Sequence, residues 1–327
     1  MYLLADKGKT VYNRHTIIYC IFFASTFLFY WKWGAYYMGI EHTLCISYYT
    51  GTGGTEMAAK QFQKSFLEKG YSSTLQLITH SSMDALKNHT FLLLLFPVHA
   101  FNAPHAVYEW IDKLTPVQGL SAAVVSVSGA GEVSPNTACR AKSIKKLEQK
   151  GYRVVYDGML IMPSNWAAAL EEPLAACLLQ VLPHKVGSMA DSMLSAKIVR
   201  STPLSVDRLF SKVGQLETFG GRMWGRWIRP NGGCTGCGWC AKSCPAANIT
   251  MQDGKPRFGF GCHMCMKCVY GCPHQALHPK VFRFFMIPKG YDLKALSERA
   301  RQYSVEEVAK KPVSAAWSGV QKYLLEE

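Results

Sequence analysis

The spacing of apolar residues changes repeatedly between residues 41 and 183. Short continuous apolar runs, of which residues 91–96 are the clearest, are typical of strands covered by helices on both faces. Strands are predicted at residues 43–49, 73–79, 90–96, 121–127 and 152–156, and helices at residues 55–69, 105–114, 137–150 and 167–182. Because strand and helix alternate, we predict an α/β domain with a doubly wound parallel sheet over residues 41–183.

Four further segments complete the predicted organisation. They are an apolar N-terminal segment (residues 1–40), a linker (184–230), a cysteine-rich domain (231–280) and a C-terminal tail (281–327). In the linker, three arginines and two tryptophans lie together at residues 222–229, which fits either an interface or a stretch packed on both domains. The tail is expected to be helical at residues 291–303 and shows no chemistry of its own.

Eight of the twelve cysteines fall in two runs of the form cysteine-x-x-cysteine-x-x-cysteine-x-x-x-cysteine-proline. The eight positions are Cys234, Cys237, Cys240, Cys244, Cys262, Cys265, Cys268 and Cys272. Three thiolates at two-residue gaps can hold three irons of one 4Fe-4S cubane, and the offset fourth can reach the other cubane. Structural zinc also uses cysteine pairs, but zinc ribbons need two pairs and not triplets with an offset cysteine and proline. The sequence therefore predicts two 4Fe-4S clusters and electron transfer.

The region from Cys234 to Pro273 resembles a bacterial two-cluster ferredoxin domain. The resemblance implies two ligand sets, one of Cys234, Cys237, Cys240 and Cys272 and one of Cys262, Cys265, Cys268 and Cys244. It also implies a small α+β fold of two hairpins and two short helices. His263 and Met264, inside the second run, are expected to be packing residues.

A loop rich in glycine and threonine follows the first predicted strand and opens the first helix. Its residues are Thr50, Gly51, Thr52, Gly53, Gly54 and Thr55. Backbone amides at a helix N-terminus can hold a phosphate dianion. No Gly-Lys-Ser/Thr follows, which excludes a Walker loop, and Glu56 stands where a dinucleotide-binding fingerprint needs its third glycine. A phosphate held without a lysine is what a flavin mononucleotide (FMN) site uses.

This stretch is similar to the flavodoxin phosphate loop, and the resemblance extends over residues 43–183. It implies the strand order 2-1-3-4-5, with the ligand outside the carboxyl ends of the strands. Two further flavin loops are implied, one at Pro97, Val98, His99, Ala100 and Phe101 and one at Ser128, Gly129, Ala130 and Gly131. Together the domains resemble the flavodoxin/ferredoxin fusion family of electron carriers from anaerobes, which implies bound FMN beside the two clusters.

From this combination we expect an electron-transfer protein that passes single electrons through the clusters to or from the FMN site and serves a partner redox enzyme. We favour such a carrier over a substrate-specific oxidoreductase, and no catalytic residue is predicted. A flavin-dependent reductase of a small substrate, fed by the clusters, stays open, although no acid/base pair marks a substrate site. A membrane-associated redox subunit is the second alternative, suggested by the charge and the apolar N-terminus.

Positive charge is concentrated in the C-terminal part of a chain whose 49% hydrophobic and 18% charged residues indicate a globular protein. Residues 1–183 hold 15 Lys and Arg against 12 Asp and Glu, whereas residues 184–327 hold 21 against 10. Such a surface suits an acidic redox partner, anionic lipid or nucleic acid, and we regard nucleic acid as the least favoured of the three. A solvated surface without a partner is the plain alternative.

The N-terminal segment leaves three interpretations open. Residues 16–40 are apolar apart from Lys32, which is about the length that spans a bilayer. One interpretation is a membrane anchor of inverted orientation, with the domains inside the cell. Another is a segment that lies in the membrane interface. The third is that the true start of the protein is Met38, so that the residues before it are not part of it. Thiolate ligands need a reducing compartment, so we expect a cytoplasmic protein with a membrane contact, if any, on the cytoplasmic side.

Overall fold

The computed structural model describes residues 43–81, 89–165, 169–195, 197–281, 283, 286–288 and 290–326. The apolar stretch at residues 16–40 and the alternative start at Met38 lie outside these residues, so the interpretations of the N-terminus stay predictions. Within the described part of the chain, no helix has both the length and the hydropathy needed to cross a bilayer.

A five-stranded parallel sheet forms the centre of the first domain. Its strands are β1 (Thr43–Tyr48), β2 (Ser72–Leu77), β3 (Phe91–Pro97), β4 (Ser121–Ser128) and β5 (Arg153–Ile161). Their order across the sheet is β2-β1-β3-β4-β5, and every neighbouring pair is parallel. The flavodoxin-like order predicted from the sequence is confirmed. Because the order reverses between β1 and β3, the loops after these two strands lie side by side at the carboxyl edge.

Helices cover both faces of this sheet. They are α1 (Gly54–Glu68), α2 (His105–Lys113), α3 (Ala141–Gln149) and α4 (Glu172–Leu194). α1 and α4 bury side chains such as Phe62 and Leu178 against one face, and α2 and α3 bury Trp110 and Leu147 against the other. Alternate residues of β3 enter the two apolar layers, which is why its sequence is continuously apolar.

Two elements run further than the sequence predicted. α4 continues through Pro183, although proline removes a backbone hydrogen bond and costs about 3 kcal/mol in a helix interior. Val186 and Met193 are buried beyond the proline at helical spacing, and this burial offsets the cost. The domain boundary predicted at residue 183 therefore falls inside a helix. β5 ends at Ile161 and not at residue 156, because its residues stay buried from Val154 to its end.

Two helices and a small cysteine-rich fold follow. The segment predicted as a linker contains α5 (Ser205–Gly214) and α6 (Glu217–Arg226). The cysteine-rich domain pairs β6 (Ile228–Pro230) with β9 (Leu277–Pro279) and β7 (Ile249–Gln252) with β8 (Lys255–Phe258), and adds α7 (Trp239–Ser243) and α8 (Lys267–Tyr270). Trp224, Ile228 and Leu277 belong to a separate apolar core. The small α+β fold predicted for this region is confirmed.

The C-terminal tail packs on the first domain. It forms α9 (Leu293–Ala300), α10 (Val305–Ala309) and α11 (Ser318–Leu325). Leu296, Val308 and Val320 are buried in the same apolar cluster as α1 and α4. The tail, for which the sequence predicted one helix and no role, thus completes the apolar layer on one face of the sheet.

Candidate functional site

The two cysteine runs fold into loops with the same backbone shape. In the first, Gly236 and Gly238 have φ values of 73° and 74°, in the left-handed region that glycine adopts at little cost. A Cβ on Gly236 would lie 2.5 Å from the carbonyl oxygen of Gly254, so this turn also needs glycine for space. Met264 and Met266 take the equivalent positions of the second run, with φ values of 52° and 61°. The second loop therefore carries large side chains where the first has none, at a backbone cost of about 1–2 kcal/mol each.

The eight thiols gather into two groups, each around a small cavity. One cavity is lined by Cys234, Cys237, Cys240 and Cys272. The other is lined by Cys244, Cys262, Cys265 and Cys268. Each group takes three thiols from one run and the offset thiol from the other, which is the pairing that the ferredoxin resemblance implies. We call them the outer and the inner thiol group.

Each group supplies four thiols, which is the number that one cubane binds. Among the described residues, no three His, Cys, Asp or Glu side chains are grouped as a single metal ion would require. Zinc needs such a group because its sulfur ligands lie at about 2.3 Å from one ion. Four irons at the corners of a cubane hold their thiolates farther apart.

Backbone amides donate to several of the thiols. Met264 N lies 3.4 Å from Cys262 Sγ, and Asn248 N lies 3.4 Å from Cys244 Sγ. In the outer group, Ala276 N lies 3.3 Å from Cys272 Sγ. Such bonds stabilise the thiolate form and tune the potential of an iron–sulfur centre.

The two groups differ in exposure. In the outer group Cys237 is exposed and Cys240 is buried, whereas all four cysteines of the inner group are half-buried. In the inner group, burial is the main cause that raises the pKa of Cys262 to about 12, and it raises the pKa of Cys268 well above its ordinary value. Burial thus disfavours the charged form of these two thiols, and a metal ion bound to them would favour it.

The inner group lies directly against the glycine-rich loop. A Cβ on Gly51 would come within 1.9 Å of the carbonyl oxygen of Cys265, so the two backbones touch and only glycine fits. Tyr49, at the end of β1, is fully buried, and its pKa is raised well above the ordinary value, first by burial and then by the Cys265 thiol. The Tyr49 hydroxyl has no hydrogen-bond partner of standard geometry within the described residues. The tyrosine ring lies 6.2 Å from the ring of His263.

Hydrogen bonds fix this contact on both sides. His80 N, beyond β2, donates to the carbonyl oxygen of Pro245 at 2.9 Å. Tyr270 Oη, in α8, lies 2.9 Å from the carbonyl oxygen of Asn165, in the loop after β5. The cysteine-rich domain is therefore held at the carboxyl edge of the sheet.

A cavity of about 150 Å³ lies at that edge. The predicted flavin residues that line it are Thr50, Gly51, Thr52, Gly54, Thr55, Pro97, Val98, His99, Ala100, Ser128 and Gly129. Gly53, Phe101, Ala130 and Gly131 are not among its lining residues. Phe101 instead packs edge-to-face on Phe210 of α5, with ring centroids 6.1 Å apart.

Sequence reasoning missed two parts of this lining. One is the loop after β5, at Met162, Pro163, Ser164 and Asn165, and the other is Met264, Cys265 and Met266 of the second cysteine run. The first could have been found from the fold prediction, because every loop after a parallel strand opens at the same edge. Nothing in the sequence indicated the second.

The residues of the glycine-rich loop fit a phosphate group. Gly53 precedes α1 with φ 97°, and no side chain caps the helix. The first-turn amides of α1 are thus left for an anion. Gly53 N donates to Thr50 Oγ1 at 3.2 Å, which fixes the turn, and the hydroxyl residues Thr50 and Thr55 are buried beside it. The loop therefore suits the phosphate end of a flavin mononucleotide.

A larger cavity of about 650 Å³ lies on the α2 side of the same edge. It shares His99 and Met264 with the first cavity, and Glu109, Arg222 and Phe260 also line it. Burial, and then the charge of His263, lower the pKa of His99 to about 4, so this imidazole is neutral at pH 7. The two cavities together give a group larger than a phosphate room to lie along the inner cysteine loop.

Comparison with known proteins identifies the cysteine-rich domain. Residues 233–277 match the 4Fe-4S dicluster domain family. No curated protein matches the chain.

Several solved flavodoxins are similar to the first domain. An archaeal flavodoxin has 14% identity and a TM-score of 0.34, covering 47% of this chain and 99% of its own. Oxidised flavodoxin 2 from Bacillus cereus has 17% identity and a TM-score of 0.35, covering 46% and 97%. Two-electron reduced Megasphaera elsdenii flavodoxin has 18% identity and a TM-score of 0.33, covering 45% and 97%. Because these TM-scores are low, the flavodoxin-like fold rests on the observed strand order and not on the similarity to these structures.

The strand order and the matched domain both agree with the resemblance found in the sequence. Iron–sulfur chemistry gives the chain a redox role. The chain is a fusion of a flavodoxin-like domain with a 4Fe-4S dicluster ferredoxin domain.

Proposed function

We propose that the protein is an electron carrier that passes single electrons through two 4Fe-4S clusters to or from an FMN held at the carboxyl edge of the sheet. The observation that carries this proposal is the contact between Gly51 of the phosphate-type loop and Cys265 of the inner thiol group. When bound, FMN holds one or two electrons and each cluster holds one, which suits exchange between donors and acceptors of different stoichiometry.

The positions of the two thiol groups suit electron transfer between a partner protein and the flavin loop. The outer thiol group, with Cys237 exposed, is the side at which a partner can approach. The inner group lies beside the buried Tyr49 and in backbone contact with Gly51, which shortens the path to the flavin loop. Because electron tunnelling weakens steeply with distance, a backbone contact between the two sites favours internal transfer.

The test is anaerobic cofactor analysis of the full chain together with a variant of the contact. We expect about eight irons and one FMN in the reconstituted protein, which is the loading of two cubanes. Gly51→Ala should keep the iron and slow flavin reduction by the clusters by about tenfold or more, since the added Cβ meets the Cys265 carbonyl at 1.9 Å. The matched control is Gly187→Ala in α4, where an added Cβ meets nothing within 4 Å.

Other outcomes would overturn the proposal in different ways. Iron without FMN would leave a ferredoxin on an empty scaffold. Zinc in place of iron would remove electron transfer altogether. Unchanged transfer in Gly51→Ala, with FMN bound, would show that the electron route avoids this contact.

An acidic redox partner fits the surface of the cysteine-rich domain. Residues 231–280 hold five Lys and Arg against one Asp. Lys242 lies between Cys240 and Cys244, and Lys255 precedes Pro256, which lines the outer cavity; both lysines are exposed. A protein with a negative docking surface would be steered towards this group, and its association rate would fall as salt rises.

A second candidate function, reduction of a small substrate, is favoured by the cavity of about 650 Å³. A cavity of this size with a few polar groups is typical of a ligand site. Arg222, Glu109 and the neutral His99 would orient the molecule. Reduced protein should then lose its electrons to a quinone or nitro compound with saturation kinetics, and Arg222→Gln should raise KM. Oxidation that stays linear in oxidant concentration would favour the carrier instead.

A further inference from the structure

The helix α5 is amphipathic with its polar side turned inward. Asp207 and Ser211 are buried, whereas the apolar residues of the helix and its C-terminal end are exposed. These exposed residues are Val206, Leu209, Phe210, Val213 and Leu216. Their spacing of three or four residues puts them on one stripe, which we call the α5 stripe. A surface helix normally buries such a stripe, but here the exposed fraction is 61% at Leu209 and 73% at Leu216.

Hydrogen bonds hold the polar side of α5 against the first domain. Asp207 Oδ1 accepts from Ser134 Oγ at 2.6 Å, and Asp207 Oδ2 accepts from Thr137 Oγ1 at 2.5 Å. Ser211 Oγ donates to Asn102 Oδ1 at 2.7 Å, and Asn102 Nδ2 donates to the carbonyl oxygen of Ser211 at 2.8 Å. Turning the helix over would leave these buried groups unpaired.

Close packing fixes the helix as well. A Cβ on Gly214 would lie 2.0 Å from the carbonyl oxygen of Ala100, so the end of α5 touches the loop after β3. The α5 stripe therefore stays on the outside of the folded protein. A contiguous apolar patch on a rigid surface marks a docking site.

The charges around the stripe indicate what covers it. Arg208 and Lys212 are exposed on α5, and Asp207, the one acidic residue of this helix, is turned inward. Arg222 and Arg226 are exposed on α6, which follows. An apolar stripe flanked by Lys and Arg is typical of a helix that lies in the plane of an anionic membrane surface. A second copy of the chain would instead bring two positive surfaces together.

The rest of the chain agrees with a lipid partner. Residues 16–40, which lie outside the described residues, have a composition and length suited to a bilayer. Leu216, at the end of the stripe, also lines the 650 Å³ cavity. We propose that α5 docks on an anionic lipid bilayer, with the α5 stripe at the boundary between head groups and acyl chains and Arg208 and Lys212 on the lipid phosphates.

The test uses the full chain. Because residues 16–40 could bind lipid by themselves, the measurement must report on α5 alone. Hydrogen–deuterium exchange of residues 204–216 would be measured in detergent, in phosphatidylcholine vesicles, and in vesicles with about one-third phosphatidylglycerol. We expect exchange in these residues to slow at least about fivefold in the anionic vesicles only. Equal exchange in all three would overturn the proposal, as would protection that needs no lipid and grows with protein concentration.

Paired variants separate the stripe from general effects. Leu209→Ser with Phe210→Ser should abolish the lipid protection, and Arg208→Gln with Lys212→Gln should abolish the preference for anionic lipid. Leu67→Ser is the control for the first pair, since Leu67 is 69% exposed on α1, away from this surface. Iron content should stay unchanged in every variant, because no substituted side chain is in a core. Protection that survives the double serine variant would also contradict the proposal.

Discussion

Arg140 carries a buried positive charge at the start of α3 and is only 1% exposed. Its Nε donates to Asp157 Oδ2 at 2.7 Å, its Nη1 donates to Ser126 Oγ at 2.9 Å, and it also pairs with Glu132. These bonds join the loop after β4 to β5. The loop that carries Ser128 and Gly129 is thus positioned by a charge network beneath it.

Removing this charge should destabilise the fold strongly. We expect Arg140→Gln to lower the free energy of unfolding by about 3–5 kcal/mol, because Asp157 would keep a buried charge with a weaker partner. Urea unfolding followed by circular dichroism measures the change. Arg153→Gln, at an exposed arginine that opens β5, is the control and should stay within about 0.5 kcal/mol. A loss below about 1 kcal/mol in Arg140→Gln would show that the network contributes little.

Tyr49 should tune the potential of the inner cluster. Its hydroxyl is buried beside Cys265, and a hydrogen bond between the two side chains affects the pKa of both, so the sulfur of Cys265 is the available acceptor. A hydrogen bond to sulfur favours the reduced, more negative cluster. We expect Tyr49→Phe to lower one of the two potentials by on the order of 50 mV, in a one-electron couple where 59 mV is a tenfold change. Paramagnetic resonance during a redox titration resolves this shift, and two unchanged potentials would refute the role.

At the scale of elements, the C-terminal helices are structural parts of the first domain. Leu296 of α9 is 3% exposed in the same cluster as Phe62 of α1. We expect Leu296→Ala to lower the free energy of unfolding by about 2–5 kcal/mol, since it leaves a cavity in a packed core. The control is Leu325→Ala at the end of α11, because that side chain is 54% exposed. Equal small losses in both would mean that the tail packs only loosely on the domain.

The elements differ in how far the sequence could predict them. β3 was predicted to within one residue at each end, because a strand covered on both faces is apolar throughout. The length of α4 was not, because Pro183 is read locally as a helix breaker and only the burial of Val186 and Met193 shows that the helix continues. For α5, the outward stripe would be read in any sequence as a buried face.

At the scale of the whole molecule, the two thiol groups differ in their surroundings. The outer group lies near solvent and basic residues, and the inner group lies against the flavin loop. Oxidants of opposite charge should detect this asymmetry. We expect added salt to slow oxidation of the reduced protein by the anion ferricyanide and to speed its oxidation by the cation cobalt hexaammine, each compared with its own rate at low salt.

Neutralising the basic residues near the outer group tests the same idea. Lys242→Gln with Lys255→Gln should slow ferricyanide oxidation by about threefold at low salt and leave the rate at high salt unchanged. The control pair is Lys310→Gln with Lys311→Gln, two exposed lysines at the end of α10. Equal effects of the two pairs would indicate net charge and not a local docking surface.

The sequence by itself determined the chemistry and the sheet. Ligand spacing is local, so the two runs around Cys234 and Cys262 specified iron–sulfur loops before any fold was known. The alternation of strand and helix predicted a parallel sheet, the resemblance of the Thr50–Thr55 loop to the flavodoxin phosphate loop implied its strand order, and the observed sheet has that order.

Only the tertiary structure decided which surfaces meet. The approach of Cys265 to Gly51 joins residues more than two hundred positions apart, and neither local sequence carries a signal for the other. The inward polar face of α5 likewise depends on Asn102, Ser134 and Thr137, which another part of the chain supplies. Contacts of this kind arise from the packing of finished elements, and local patterns of polarity do not encode them.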